Sequence, residues 1–192
     1  TDDVYVDAGS ISATISTATG GNFENLAINP APAVTSIADT IDVTTVTLTA
    51  SASVAEGGNI TYTASLTNLA QSPVTVTLDN GAIITIATGA SSGTVSVAAL
   101  TDDVYVDAGN ISTTIASATG GNFESLAVNP TPAMISISDT IDTTTVLLTA
   151  TPSVAEGGSI VYTASLTSAA QSPVMVTLDN GAVISIAAGS SS

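Results

Sequence analysis

Apolar and polar residues alternate one for one along most of the chain. "NITYTASLT" at 59–67 sets Ile60, Tyr62, Ala64 and Leu66 on one side and Thr61, Thr63, Ser65 and Thr67 on the other. "TTVTLTA" repeats the pattern with Val46 and Leu48, "PVTVTL" with Val74, Val76 and Leu78, and "AIITIA" with Ile84 and Ile86. "GTVSVAA" adds Val95 and Val97, and "AMISIS" adds Ile135 and Ile137. A period of two marks a strand with one buried and one wet face, a surface that Thr, Val and Ile suit. No stretch carries a helical apolar stripe. "LDNGA" at 78–82 places Asn-Gly between two alternating runs, which predicts a two-residue hairpin.

The strands so predicted cover 43–51, 59–68, 73–79, 82–88, 93–99, 104–118 and 131–138. About seven strands in about 100 residues is the content of an immunoglobulin-like β-sandwich. The fold class expected is therefore all-β. Shifting the sequence by 100 residues aligns 1–92 with 101–192 without a gap, and roughly three-quarters of the positions are identical. The chain reads as tandem repeats of about 100 residues. One complete repeat runs over 41–140, with 1–40 the C-terminal part of a preceding repeat and 141–192 the N-terminal part of a following one. "SDTID" at 138–142 is the joint.

Charge changes this picture. The chain has 16 acidic residues and no Lys, Arg or His, for a net charge of −16. Without basic side chains it has nothing to set against phosphate, which excludes nucleic acid and anionic membrane surfaces. No apolar run approaches the roughly 20 residues a membrane helix needs. Cys is absent, so neither disulfides nor thiolate-bound zinc hold the fold. Trypsin-like proteases find no Lys or Arg to cut, which suits a life outside the cell.

All eight acidic positions of one repeat recur in the other: Asp2, Asp3, Asp7, Glu24, Asp39, Asp42, Glu56 and Asp79 match Asp102, Asp103, Asp107, Glu124, Asp139, Asp142, Glu156 and Asp179. An up-and-down path brings the loops holding Glu56, Asp79, Asp102 and Asp103, and the exit at Asp139, to one end of the repeat. Asp142 lies just across the joint. Glu124 falls at the opposite end, where the preceding joint carries Asp39 and Asp42, with Asp2 and Asp3 in the counterpart of the Asp102/Asp103 loop. Crowded carboxylates repel and must protonate, splay apart or bind a cation. With no counter-charge in the sequence, a hard divalent cation fits. Ca²⁺ takes six to eight oxygen ligands, Mg²⁺ prefers water-rich octahedra, and zinc would want His or Cys. Ca²⁺ is thus the expected cofactor, held in the linkers by Glu56, Asp102, Asp103, Asp139, Asp142, Asp2, Asp3, Asp39, Asp42 and Glu124. Asp107, Asp79 and Glu156 are further candidates. Asp79 stands beside an Asn-Gly turn, where Asp is common for conformational reasons alone.

"DTIDTTTVLLTATPSVAEGGSIVYTASLT" and "DDVYVDAGNISTTIASATGGNFESLAVNP" resemble the tandem repeats of giant LapA-type biofilm adhesins and, close behind, the extender repeats of an ice-binding RTX adhesin. The resemblance covers the whole chain. It implies calcium-binding immunoglobulin-like domains strung between a cell-surface anchor and a distal ligand-binding region, exported by type I secretion to the bacterial surface. It places linker ligands at Asp139 and Asp142, the "AEGG" glutamate and the "DD" pair. The "GGxGxD" nonapeptides of RTX C-termini are absent, so the segment reads as shaft.

Two functions compete. The first is a spacer whose partners are its neighbouring repeats and whose joints calcium stiffens, with no small-molecule substrate. The second is a binding module, in which rows such as Thr45/Thr47/Thr49 present a flat face to carbohydrate or ice. An enzyme is not expected. Paired carboxylates can hydrolyse glycosides, but here they lie at joints with no His, Lys, Cys or Arg to assist.

Overall fold

The computed structural model describes residues 2–7 and 9–192, and among them there are strands, turns and no helix. The strands are β1 (Gly9–Ala13), β2 (Ala33–Ile37), β3 (Val43–Ala50), β4 (Ser53–Ala55), β5 (Asn59–Leu66), β6 (Val74–Leu78), β7 (Ile83–Ile86) and β8 (Ser92–Ala98). They continue with β9 (Gly109–Thr113), β10 (Ile115–Gly120), β11 (Ser125–Val128), β12 (Ala133–Ser138), β13 (Val146–Ala150), β14 (Tyr162–Leu166), β15 (Val174–Thr177) and β16 (Val183–Ile186). The chain divides into two compact units. Unit 1 holds Thr1–Ser51, Ile60–Val97 and Ser112–Met134, and unit 2 holds Ala52–Asn59, Ala98–Ile111 and Ile135–Ser192. A strand that crosses a division belongs to the unit that holds most of it.

Unit 1 contains a four-stranded sheet in the order β11-β3-β5-β8, a three-stranded sheet β10-β6-β7, and the pair β1-β2. The alternation read from the sequence is the alternation of burial. Val46 and Leu48 of β3, Ile60, Tyr62, Ala64 and Leu66 of β5, Val74, Val76 and Leu78 of β6, and Ile84 and Ile86 of β7 are all buried. The β6–β7 hairpin closes through three residues, Asp79-Asn80-Gly81, and not the expected two: Leu78 N–H donates to Ala82 O at 2.9 Å, Gly81 N–H donates to Leu78 O at 3.0 Å, and of the three only Gly81 has a positive φ, +84°. The Asn80 side chain accepts a hydrogen bond from the Ala82 N–H at 3.0 Å. Unit 2 contains β4-β12-β9, β13-β14 and β15-β16.

Three further details depart from the sequence expectation. The stretch 104–118 is not one strand: 104–108 is irregular, and strand structure resumes in β9 and β10. Two short strands, β4 and β11, lie outside the predicted set, and each pairs in parallel, β11 with β3 and β4 with β12. The path is therefore not a simple up-and-down one. Parallel partners lie far apart in sequence and leave no hairpin signal between them.

A polar pair lies on the buried face. The Tyr62 hydroxyl and Thr113 Oγ1 are 2.9 Å apart, and both residues are buried. Removing one partner of a buried hydrogen bond leaves the other unpaired. Tyr62→Phe is expected to cost about 1–3 kcal/mol in urea denaturation. Its repeat counterpart Tyr162 is 36% exposed, so Tyr162→Phe should stay within about 0.5 kcal/mol.

Candidate metal centre

In unit 2 the sequence "SVAEGG" leaves β4 in a tight turn whose backbone is clasped on both sides. The Glu56 N–H donates to the Ser138 carbonyl at 3.0 Å, continuing the parallel ladder of β4 with β12. The Gly57 N–H donates to Leu100 O at 2.8 Å, and Ala99 N–H donates to Gly58 O at 2.9 Å. Gly57 has φ +68°, and a Cβ there would lie 3.1 Å from the Cβ of Asp102, so glycine is required for both reasons. This clasp fixes the base of the Glu56 side chain, and β12 ends at Ser138, directly before Asp139.

Glu56, Asp107 and Asp139 each offer a carboxylate oxygen within 4.8 Å of the others. Glu56 is buried at 5% exposure, and neither of its oxygens has a hydrogen-bond partner among the described residues. Asp139 Oδ1 is in the same condition. Glu56 is pushed up to about 7 from 4.5. The largest cause is Asp107, placed so that a proton on one carboxyl would be shared with the other; burial and the charges of Asp107 and Asp139 add to it. Ionised, the carboxylates have nothing to share and repel.

Unit 1 holds a second acidic group. The Asp42 N–H donates to Glu124 Oε2 at 2.5 Å, and the Asp7 N–H donates to Asp39 Oδ2 at 3.2 Å. Glu124 Oε1 is buried without a partner among the described residues. The bond from Asp42 N–H holds the Glu124 pKa down, but burial and the neighbouring Asp39 and Asp42 carboxylates outweigh it, so the net shift is upward. By the 100-residue repeat, Asp7 and Asp39 are the counterparts of Asp107 and Asp139.

The other predicted residues are spread around these groups. Asp3 and Asp103 each accept the N–H of the tyrosine two residues on, at 2.8 and 2.7 Å. Asp2 and Asp102 accept from the hydroxyls of Thr40 and Thr140. Asp142 and Glu156 are exposed. Asp79 Oδ2 accepts both the N–H and the hydroxyl of Thr114, at 3.0 and 2.8 Å, which lowers its pKa. The group around Glu56 thus gathers Asp107, with Asp102 against its turn and Asp103 turned to the backbone.

The sequence reading missed two tyrosines. Tyr5 donates its hydroxyl to Leu69 O at 2.6 Å and stacks on Phe123 with centroids 5.7 Å apart. Tyr105 donates to Ala169 O at 2.7 Å. Both bonds span 64 residues. The signal was available, since these are two of only four Tyr in the chain and each follows the repeated "DDV".

Glu56 and Asp139, with unpaired buried oxygens, and the exposed Asp107 beside them form an all-oxygen donor set with no basic side chain, the chemistry of a hard-cation site. The residues present fit such an ion, because the buried Glu56 oxygens have no other partner. No helix of the described residues is long and apolar enough to cross a membrane. The LapA domain model matches residues 1–40, 42–140 and 142–192 in succession. No curated protein and no solved structure matched the chain. The chain belongs to the LapA domain family, whose adhesins are cell-surface-associated proteins with a structural, non-enzymatic role.

Proposed function

We propose that this chain is an extender segment of an exported bacterial adhesin, built of immunoglobulin-like repeats whose joints are stiffened by Ca²⁺. The observation that carries this reading is Glu56: a buried carboxylate with both oxygens unpaired, set against Asp107 and Asp139. The family matches break at residues 41 and 141, which supports joints there and a complete repeat between them. The two acidic groups supply complementary portions of one joint. The first gives the Glu56, Asp107 and Asp139 side, and the second gives Asp7 and Asp39 with Asp42 and Glu124 added from beyond the joint. Taken together by the repeat, a whole joint offers carboxylates of the Glu56, Asp107, Asp139, Asp142 and Glu124 types, a number that suits the six to eight oxygens of Ca²⁺. Extracellular modules bind Ca²⁺ in the range of about 10⁻⁴–10⁻³ M, so such joints would be loose in the cytosol and rigid outside.

Calcium titration of the intact chain tests this. A site filled at 100 times its dissociation constant adds about 2.7 kcal/mol to folding stability. Melting temperature and the maximum dimension in solution scattering should both rise with Ca²⁺. Indifference of both to EDTA would remove calcium from the account.

A further inference from the structure

The loop that carries the repeated "DDV" is fastened twice, and by the same bonds in both copies. Asp3 accepts the Tyr5 N–H at 2.8 Å and Asp103 the Tyr105 N–H at 2.7 Å, a turn that commits an aspartate oxygen to its own backbone. Each tyrosine then donates its hydroxyl to a carbonyl 64 residues on, Tyr5 to Leu69 O at 2.6 Å and Tyr105 to Ala169 O at 2.7 Å. The acceptors differ in side chain, Leu against Ala, and the bond persists because only the carbonyl is used. Both acceptors sit beside a clasped residue. Ala70 N–H donates to Ala90 O at 2.9 Å and Gly89 N–H to Ala70 O at 2.7 Å. Ala170, Ser190 and Gly189 repeat that pair of bonds at the same distances.

In unit 1 the tyrosine also has a ring to rest on. Tyr5 stacks on Phe123 with centroids 5.7 Å apart. Around the stack, Val6 N–H donates to Asn122 O at 3.3 Å and Glu124 N–H to Val4 O at 3.1 Å. The Phe123 side is itself tied to the acceptor loop. Gln71 N–H donates to Gly121 O at 3.1 Å, and the Asn122 side chain donates to Gln71 Oε1 at 2.8 Å. Two carboxylates ride on these segments: Asp7 stands two residues past Tyr5, and Glu124 directly follows Phe123. Asp7 N–H reaches Asp39, while Glu124 receives the Asp42 N–H and keeps Oε1 buried without a partner among the described residues. In unit 2 the residue two past Tyr105 is Asp107, the neighbour of the buried Glu56. In each unit, then, an anchored tyrosine stands two residues from a carboxylate of the acidic group.

We infer that Asp3 with Tyr5, and Asp103 with Tyr105, are positioning residues of the cation site. The aspartate turns the backbone, the tyrosine hydroxyl latches it to the carbonyl of residue 69 or 169, and Asp7 or Asp107 is thereby presented to its partner carboxylates. This rests on the calcium reading above and adds to it. It assigns Asp3 and Asp103 to the turn and not to the ligand set, and it gives the two tyrosines a role in ion binding. A carboxylate held toward others of its own sign costs free energy while no ion is bound. The latch offsets part of that cost in advance, which is preorganisation of the site. A tyrosine hydroxyl suits the task, because it is neutral and brings no positive charge to compete with the ion. By linkage, the ion strengthens the latch as much as the latch strengthens ion binding.

The test uses the full chain, with Ca²⁺ affinity read by calorimetry and folding stability by urea denaturation in EDTA. Tyr5→Phe with Tyr105→Phe keeps both rings and removes both hydroxyls. Affinity should fall about tenfold or more, the loss typical when a group supporting a metal ligand is removed. The urea midpoint in EDTA should stay that of wild type, since both bonds lie at the surface. Asp3→Ala with Asp103→Ala should weaken binding alike. Asp3→Asn with Asp103→Asn should keep nearly wild-type affinity, because the amide oxygen still accepts the tyrosine N–H. Wild-type affinity in the Tyr→Phe variant would overturn the proposal and leave the calcium reading standing. So would an Asn variant as weak as the Ala variant, which would make these aspartates ligands. A urea midpoint that falls along with affinity would make the tyrosines structural and overturn it too. A wild type that binds no Ca²⁺ overturns the calcium reading and this proposal together.

Discussion

Ile60→Ala should destabilise the dilute chain by about 2–5 kcal/mol, while Ile160→Ala changes monomer stability by less than about 0.5 kcal/mol. The two isoleucines occupy the same place in "EGGxI" of successive repeats. Ile60 is 1% exposed and Ile160 is 51% exposed. Truncating a buried isoleucine loses the transfer free energy of the removed carbons and leaves a cavity, whereas at an exposed site neither term arises. Urea denaturation reads the difference directly. Equal losses at the two positions would mean that 160 is covered within the same chain.

That contrast also shows how far the sequence could be read. The alternating runs of β3, β5, β6, β7 and β12 were legible because hydrophobic periodicity is local and strong there. "ISTATG" at 15–20 and "IASATG" at 115–120 are nearly the same string, yet only the second is a strand. Strand formation by such segments follows from a partner sheet, and no reading of the segment alone supplies one. Parallel β4 and β11 were missed for a related reason: "SVA" and "SLAV" are too short to show a period, and their partners are remote. The acidic site was legible as a class, through the repeated carboxylates and missing counter-charges, but its membership was set by geometry. Asp107 meets Glu56 because 104–108 leaves the strand path, a bend fixed by the Asp103 turn and the Tyr105 hydroxyl anchored on Ala169 O. Nothing in "DDVYVDAG" states that bend.

Glu56→Gln should reverse its effect on stability with the presence of calcium. The Glu56 pKa is raised to about 7 in the folded chain from 4.5. Between those values the folded state binds more protons than the unfolded one, so stability falls as pH rises. Without calcium, stability from this group is fully present below about pH 4.5 and is lost as pH climbs through 7. The depressed Asp79 acts in the opposite sense, but only as pH falls below its ordinary value of 3.8, outside this window. The substituted glutamine cannot ionise, and its amide can donate to Asp107 or Asp139. In EDTA the variant should therefore melt higher than wild type at pH 8, with a flatter pH profile between 5 and 8. In saturating Ca²⁺ the order inverts, because the wild type gains a charged ligand that the amide replaces poorly. Calcium affinity should drop about tenfold or more, as it does when even supporting groups of a metal site are changed. Paired thermal melts at pH 5 and pH 8, with Ca²⁺ and with EDTA, decide it. A variant that is less stable than wild type under all four conditions would make Glu56 a structural residue and leave the cation without its central ligand.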